Sequence, residues 1–199
     1  HSLWLALLGL LLYALDPVHS QLVSSIGYGT PERFLDTTDT ALHVIKAAPG
    51  EVLKYYGNMG SGRTLALVEA TQNGNSPCDK SEAGAAATNL RSGPCRAPTG
   101  SYNVVIPQNP VLDWDNDDGT QRLYAVCAAS GAGDTNDATW EDSAVRLRLS
   151  AVASIAAHGV THKTTGRLAR HAALKLTVAG ELGDGKWISM VEATLNTNN

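Results

Sequence analysis

The segment Leu3 to Leu15 (Leu-Trp-Leu-Ala-Leu-Leu-Gly-Leu-Leu-Leu-Tyr-Ala-Leu) is apolar on every side. A stretch with no polar face has to be buried, in lipid or against other protein. Leucine and alanine favour helix over strand, so the run is expected to be an apolar helix. At 1.5 Å per residue it would be roughly 20 Å long, short of the roughly 30 Å hydrocarbon core of a bilayer. Asp16-Pro17 then interrupts it. A helix kinked at Pro17 and continued through Leu22, Val23 and Ile26 would reach further, with Ser20, Gln21, Ser24 and Ser25 on its other side. The competing reading is a secretory signal cleaved after Val18-His19-Ser20. We expect a retained anchor or assembly helix over residues 1–26, followed by a β-rich domain over residues 27–199. Either reading predicts export through a membrane to the cell surface or the medium.

Length and charge narrow the class. The chain has 199 residues, 17% of them charged, and a net charge of −4, below the roughly 25% charged residues of an average soluble domain. A weakly charged, small-residue surface suits exported proteins and assembling subunits better than a nucleic-acid binder with a strong overall field.

Residues Gly27 to Gly57 carry a mixed pattern. Thr30-Pro31-Glu32 reads as a helix start, and Ala41 to Lys46 as a short strand or helix. From Arg63 onward, strand-like runs separated by turn clusters cover Thr64–Thr71, Tyr102–Ile106, Arg122–Ala128, Ala144–Ala153, Leu174–Ala179 and Trp187–Leu195. Val145-Arg-Leu-Arg-Leu149 and Leu174-Lys-Leu-Thr-Val178 alternate apolar and polar residues, as a sheet with one wet face requires. The expected fold class is therefore α+β, an N-terminal apolar helix followed by an antiparallel, sheet-rich globular domain. Gly62 to Asn75 recurs as Gly185 to Asn198 without a gap. This likeness is read as a shared solution to one strand-then-turn problem, in preference to a duplicated unit.

Candidate sites are few. The three cysteines form no Cys-x-x-Cys pair, which argues against a structural zinc or a thioredoxin-type motif. Cys78 and Cys95 both follow proline and flank a small polar loop. A Cys78–Cys95 bridge would remove on the order of 3 kcal/mol of unfolded-state entropy, and Cys127 would then be a buried thiol in a strand. Asp113-Trp-Asp-Asn-Asp-Asp-Gly119 gathers carboxylates in a turn. Asp113, Asp115 and Asp117 are the candidate ligands for calcium, the one cofactor considered, although the register does not fit an EF-hand. Gly57 to Thr64 has the glycine spacing of a phosphate-binding loop, but Arg63 replaces the lysine and Glu51–Tyr56 is a poor buried strand, so it reads as a glycine-rich turn. Ser143 to Gly180 contains no acidic residue while carrying Arg146, Arg148, Arg167, Arg170 and Lys175. That basic sheet face would meet phosphates or an acidic patch of another subunit. No nucleophile, base and orienter can be assembled, and an enzyme is not expected.

The apolar start, the proline kink and the sheet with a cysteine-flanked loop together resemble a type IV pilin or pseudopilin. The resemblance is architectural and rests mainly on residues 1–26. It implies a structural subunit of an extracellular filament, whose helix anchors it in the membrane before assembly and packs in the filament core afterwards. Leu3, Leu7, Leu8, Leu11 and Leu15 would make the assembly contacts, and copies of the same chain would be the partners. The alternatives are a viral or phage coat protein, with the basic face on nucleic acid, and a secreted or membrane-anchored binding module.

Overall fold

The computed structural model describes residues 22–29, 32–36, 44–46, 50–107, 112–116, 120–159, 168, 170, 173–182 and 184–191. Strand accounts for 41% of the structure and helix for 6%, so the described chain is a β protein. Its strands are β1 (Ser25–Tyr28), β2 (Arg33–Asp36), β3 (Val44–Lys46), β4 (Glu51–Tyr56), β5 (Thr64–Glu69), β6 (Cys95–Arg96), β7 (Asn103–Ile106), β8 (Tyr124–Ala129), β9 (Trp140–Ser150), β10 (Val152–Ala157) and β11 (Leu176–Gly180). Two four-residue helical turns, α1 (Gln72–Asn75) and α2 (Lys80–Ala83), lie between β5 and β6.

The strands form a four-stranded sheet in the order β2-β1-β4-β7, a five-stranded sheet in the order β3-β9-β8-β5-β6, and a separate β10-β11 hairpin. All pairings are antiparallel except β3 with β9. The two larger sheets pack face to face. Alternation sends Ile26, Leu35, Leu53, Tyr55, Val104 and Ile106 inward from the first sheet, and Leu65, Leu67, Val126, Ala128, Val145, Leu147 and Leu149 inward from the second, into one core.

The central strands β5 and β8 are buried along their whole length. Their second faces carry Ala66, Val68, Ala125, Cys127 and Ala129, which join Cys78, Ala83 and Trp140 in a smaller cluster. Side chains this short let the 71–92 segment lie close over the five-stranded sheet as a third layer, and the Cys78–Cys127 disulfide ties it down.

Several expectations are corrected. No long apolar helix is present among the described residues, and no described helix is long and apolar enough to cross a membrane. The α+β class with a leading helix therefore gives way to a mainly β architecture. Leu3, Leu7, Leu8, Leu11 and Leu15 lie outside the described residues. Leu22 to Ile26, read as the continuation of that helix, instead lead into β1. The physical reason is that β-branched Val23 and Ile26 are fully buried in the sandwich core, while the Ser24 amide donates to the Tyr56 carbonyl at 2.8 Å. The helix start expected at Thr30-Pro31-Glu32 is followed by strand β2. Trp187 to Val191 belong to no strand among the described residues, and the rest of that expected strand lies outside them.

The bridge from Cys78 goes to Cys127, with Cα atoms 5.2 Å apart, and Cys95 is the buried free thiol. The expected Cys78–Cys95 pairing fails because Cys95, in edge strand β6, faces the sandwich core while Cys127 points out of β8 towards the covering layer. Burial raises the Cys95 thiol above its ordinary pKa, against a smaller opposing contribution from Ser92.

Candidate functional site

An antiparallel sheet with one solvated face normally shows water its polar residues. The outer face of the four-stranded sheet departs from that. In β4, turning Leu53 and Tyr55 into the core leaves Val52, Lys54 and Tyr56 outward, and in β7 the burial of Val104 and Ile106 leaves Asn103 and Val105 outward. The register aligns Phe34, Gly27, Lys54 and Asn103 in one row across all four strands, with Val52 opposite Val105 in the next. Phe34, Val52 and Val105 are 53%, 45% and 54% exposed.

Local contacts hold this face in shape. The Phe34 and Tyr56 rings lie 5.4 Å apart at a tilt, and the Lys54 ammonium sits 4.6 Å from the centre of the Tyr56 ring. The Tyr56 hydroxyl donates to Glu32 Oε1 at 2.7 Å. Glu32 reaches it by folding over Gly27, where any side chain would collide with the carboxylate. Interaction with Tyr56, reinforced by Glu32, raises the Lys54 ammonium above its ordinary pKa despite slight desolvation. Beside these groups an open groove of about 510 Å³ runs along Gly27, Tyr28, Glu32, Glu51, Lys54 and Asn103. An aromatic pair, two aliphatic side chains, a cation and carboxylates thus line one shallow surface.

The residues singled out from the sequence lie elsewhere. Asp113 accepts from Asn89 Nδ2 at 2.6 Å and faces Arg122 at 4.0 Å, so its charge is already answered within the chain. Asp115 is held through its backbone, in an isolated antiparallel β-bridge with Gln121, and Asp117 lies outside the described residues. No group of three His, Cys, Asp or Glu is placed to hold a metal ion among the described residues.

Arg146 and Arg148 project from β9, but Arg146 makes a two-pronged pair with Asp142 at 2.7 and 2.6 Å, and Arg148 donates to Gln121 at 3.3 Å. Lys175 precedes β11 of the separate hairpin, Arg170 is exposed, and Arg167 lies outside the described residues. The described cations therefore do not share one sheet face. The glycine-rich turn at Gly57–Thr64 joins β4 to β5, and the Tyr55 hydroxyl organises it, donating to the Gly60 carbonyl at 2.9 Å and accepting from the Arg63 amide at 3.1 Å.

Sequence reasoning missed the aromatic face because its members come from three strands whose mutual register is a tertiary property. The available signal was the alternation of Glu51-Val-Leu-Lys-Tyr-Tyr56 and Asn103-Val-Val-Ile106, each with an apolar residue left over on the outward side. No protein family, curated protein or solved structure matches the chain. The class defined by fold and surface is thus a disulfide-stapled β-sandwich with an exposed, partly apolar outer face.

Proposed function

We propose that this protein is an exported binding module, secreted or membrane-anchored, that recognises its ligand with the outer face of the four-stranded sheet. The observation that carries the reading is the exposure of Phe34, Val52 and Val105, with half-buried Tyr56 beside Phe34, on a face where water-facing polar residues are the rule. Aromatic rings at the rim of a shallow groove supply contact area at small entropic cost. Lys54, Glu32 and Asn103 add directional polar groups. The Cys78–Cys127 bridge supports export, because such bonds persist in oxidising compartments. The reading needs no filament helix, and pairing of Arg146 with Asp142 removes the main argument for phosphate binding by β9.

Amide chemical-shift mapping against a panel of short oligosaccharides and extended peptides tests the proposal. Binding should perturb residues 27, 34, 52, 54, 56, 103 and 105 together. Phe34→Ser with Tyr56→Ser should weaken it at least about tenfold without changing the fold, since both rings are surface anchors. Perturbations centred on β9 or the β10-β11 hairpin would overturn the assignment.

A further inference from the structure

The likeness between Gly62–Asn75 and Gly185–Asn198 extends further than matching letters suggest. Continued towards the N-terminus without a gap, it brings Gly57 and Gly60 onto Gly180 and Gly183, and Leu53 onto Leu176. The backbone agrees. Gly57 and Gly180 have φ of 138° and 139°, and Gly62 and Gly185 have 72° and 74°. This alignment makes β11 the counterpart of β4.

A second alignment, found separately, matches Val23-Ser-Ser-Ile26 in and before β1 with Val152-Ala-Ser-Ile155 in β10. The pairing registers join the two alignments. Ser25 to Tyr28 pair in order with Tyr56, Tyr55, Lys54 and Leu53, and Ser154 to Ala157 pair in order with Ala179, Val178, Thr177 and Leu176, the same four positions. Backbone bonds close the open end of each hairpin on the same acceptor position with donors one place apart, from Met59 to the Leu22 carbonyl at 2.9 Å and from Glu181, the counterpart of Asn58, to the Ala151 carbonyl at 2.8 Å. A strand-then-turn convergence would not reproduce two strands, their register and two left-handed glycines together.

We infer that the chain is a tandem array, in which residues 151–199 open a second copy of the sandwich that begins one residue after β9 ends. The copies differ in what covers them. Ile26, Leu65, Leu67 and Val68 are fully buried, whereas their counterparts Ile155, Ile188, Met190 and Val191 are 43%, 40%, 66% and 67% exposed. In the first copy β8 and β9 and the covering 71–92 segment occupy those faces. The exposed face of the second copy therefore fits an antiparallel strand pair of β8–β9 chemistry, with apolar side chains on the inward alternation. This inference does not depend on the binding face proposed above.

The test extends the full chain at Asn199, the counterpart of Ser76, with a second copy of residues 77–150 and follows amide hydrogen exchange. The extended chain carries Trp187→Thr, because the counterpart Thr64 is buried against Gly133. Amides 188–191 should gain at least about a hundredfold protection over the unextended Trp187→Thr chain. Amides 65–69 report the first copy in the same spectrum. Unchanged exchange at 188–191 while 65–69 stay protected overturns the inference.

A reciprocal exchange guards against failure of the appended segment itself. Leu65→Ile, Ala66→Ser and Leu67→Met, which install the second copy's residues in register, should leave the first sandwich cooperatively folded. Leu65→Ser, Ala66→Ile and Leu67→Met turn serine into the core and should abolish folding. Equal behaviour of the two triple variants also overturns the inference.

Discussion

Asp137 sits in the turn before β9 with three donors on its carboxylate: the Gly133 amide at 2.6 Å, the Thr139 amide at 2.9 Å and the Thr139 hydroxyl at 2.6 Å. Gly131 passes so close that a Cβ there would lie 2.7 Å from both carboxylate oxygens. The Thr139 hydroxyl first, then the two amides, hold Asp137 below the usual carboxylate pKa. Asp142 is also lowered: burial pushes it up, but the Arg146 guanidinium and the Ala144 amide outweigh that. A carboxyl with a depressed folded pKa contributes stability that is present above its unfolded value of about 3.9 and is lost as pH falls through the folded value. Urea midpoints are therefore expected to show no loss from these two groups down to about pH 4 and a decline below it. Asp137→Asn should flatten part of that decline. An unaltered acid slope in the variant would show that Asp137 does not carry it.

At the scale of the element, the 71–92 segment is the part whose order depends most on one bond. It contains two short helical turns, and α1 includes Asn73 and Gly74 in left-handed conformation, so little of its stability comes from helix formation. Its anchors are the small cluster around Trp140, the backbone bonds of Leu90 and Ser92 to β5 and the bridge to β8, while the Arg91–Glu82 ion pair ties the segment to itself. Closing a loop with a sequence separation of 49 removes about 4 kcal/mol of unfolded-state entropy in the chain-entropy account. Cys78→Ala with Cys127→Ala should therefore lower unfolding free energy by about that amount in urea titrations. Alkylation of the native wild type should spare buried Cys95 and label it only on unfolding; prompt labelling of two thiols would contradict the pairing.

The cysteine positions were visible in the sequence but their partnership was not. Cys78 and Cys95 share a proline-cysteine context, whereas the bond is decided by which face of β8 Cys127 occupies. That parity is fixed by the register of β8 against β5.

For the whole molecule, legibility followed periodicity. The runs that became β5, β7, β8 and β11 could be read, because apolar side chains alternate or run unbroken there; the run expected over Ala144–Ala153 caught only the later part of β9, which starts at Trp140, and ran on into β10 across the break at Ala151. Strand β1 could not, since Val23 and Ile26 continue the apolar character of the preceding leucines and fit a helical stripe equally well. The division into two packed sheets also escaped, because β3 joins β9 in parallel across a long stretch of sequence. The candidate recognition face was hidden for a related reason: Phe34, Tyr56 and Val105 become neighbours only after β1 lies between β2 and β4 and β7 joins the far edge. The second copy was half visible. Its identical letters are dense in the strand-turn segment and sparse upstream, where the resemblance is carried by a few matching residues together with glycine conformation and strand register.

The Cys78–Cys127 bond has a mechanical meaning as well. It closes off the stretch that contains α2, β6 and β7, so tension applied at the two ends of the chain bypasses those residues. At full extension each residue adds about 3.4 Å. A sequence separation of 49 therefore amounts to on the order of 170 Å of contour that an oxidised molecule withholds and a reduced one releases. Stretched between a fixed anchor and a bound ligand, the protein would have a reach set by the redox state of its surroundings, measurable as the difference in contour length between oxidised and reduced molecules in single-molecule pulling.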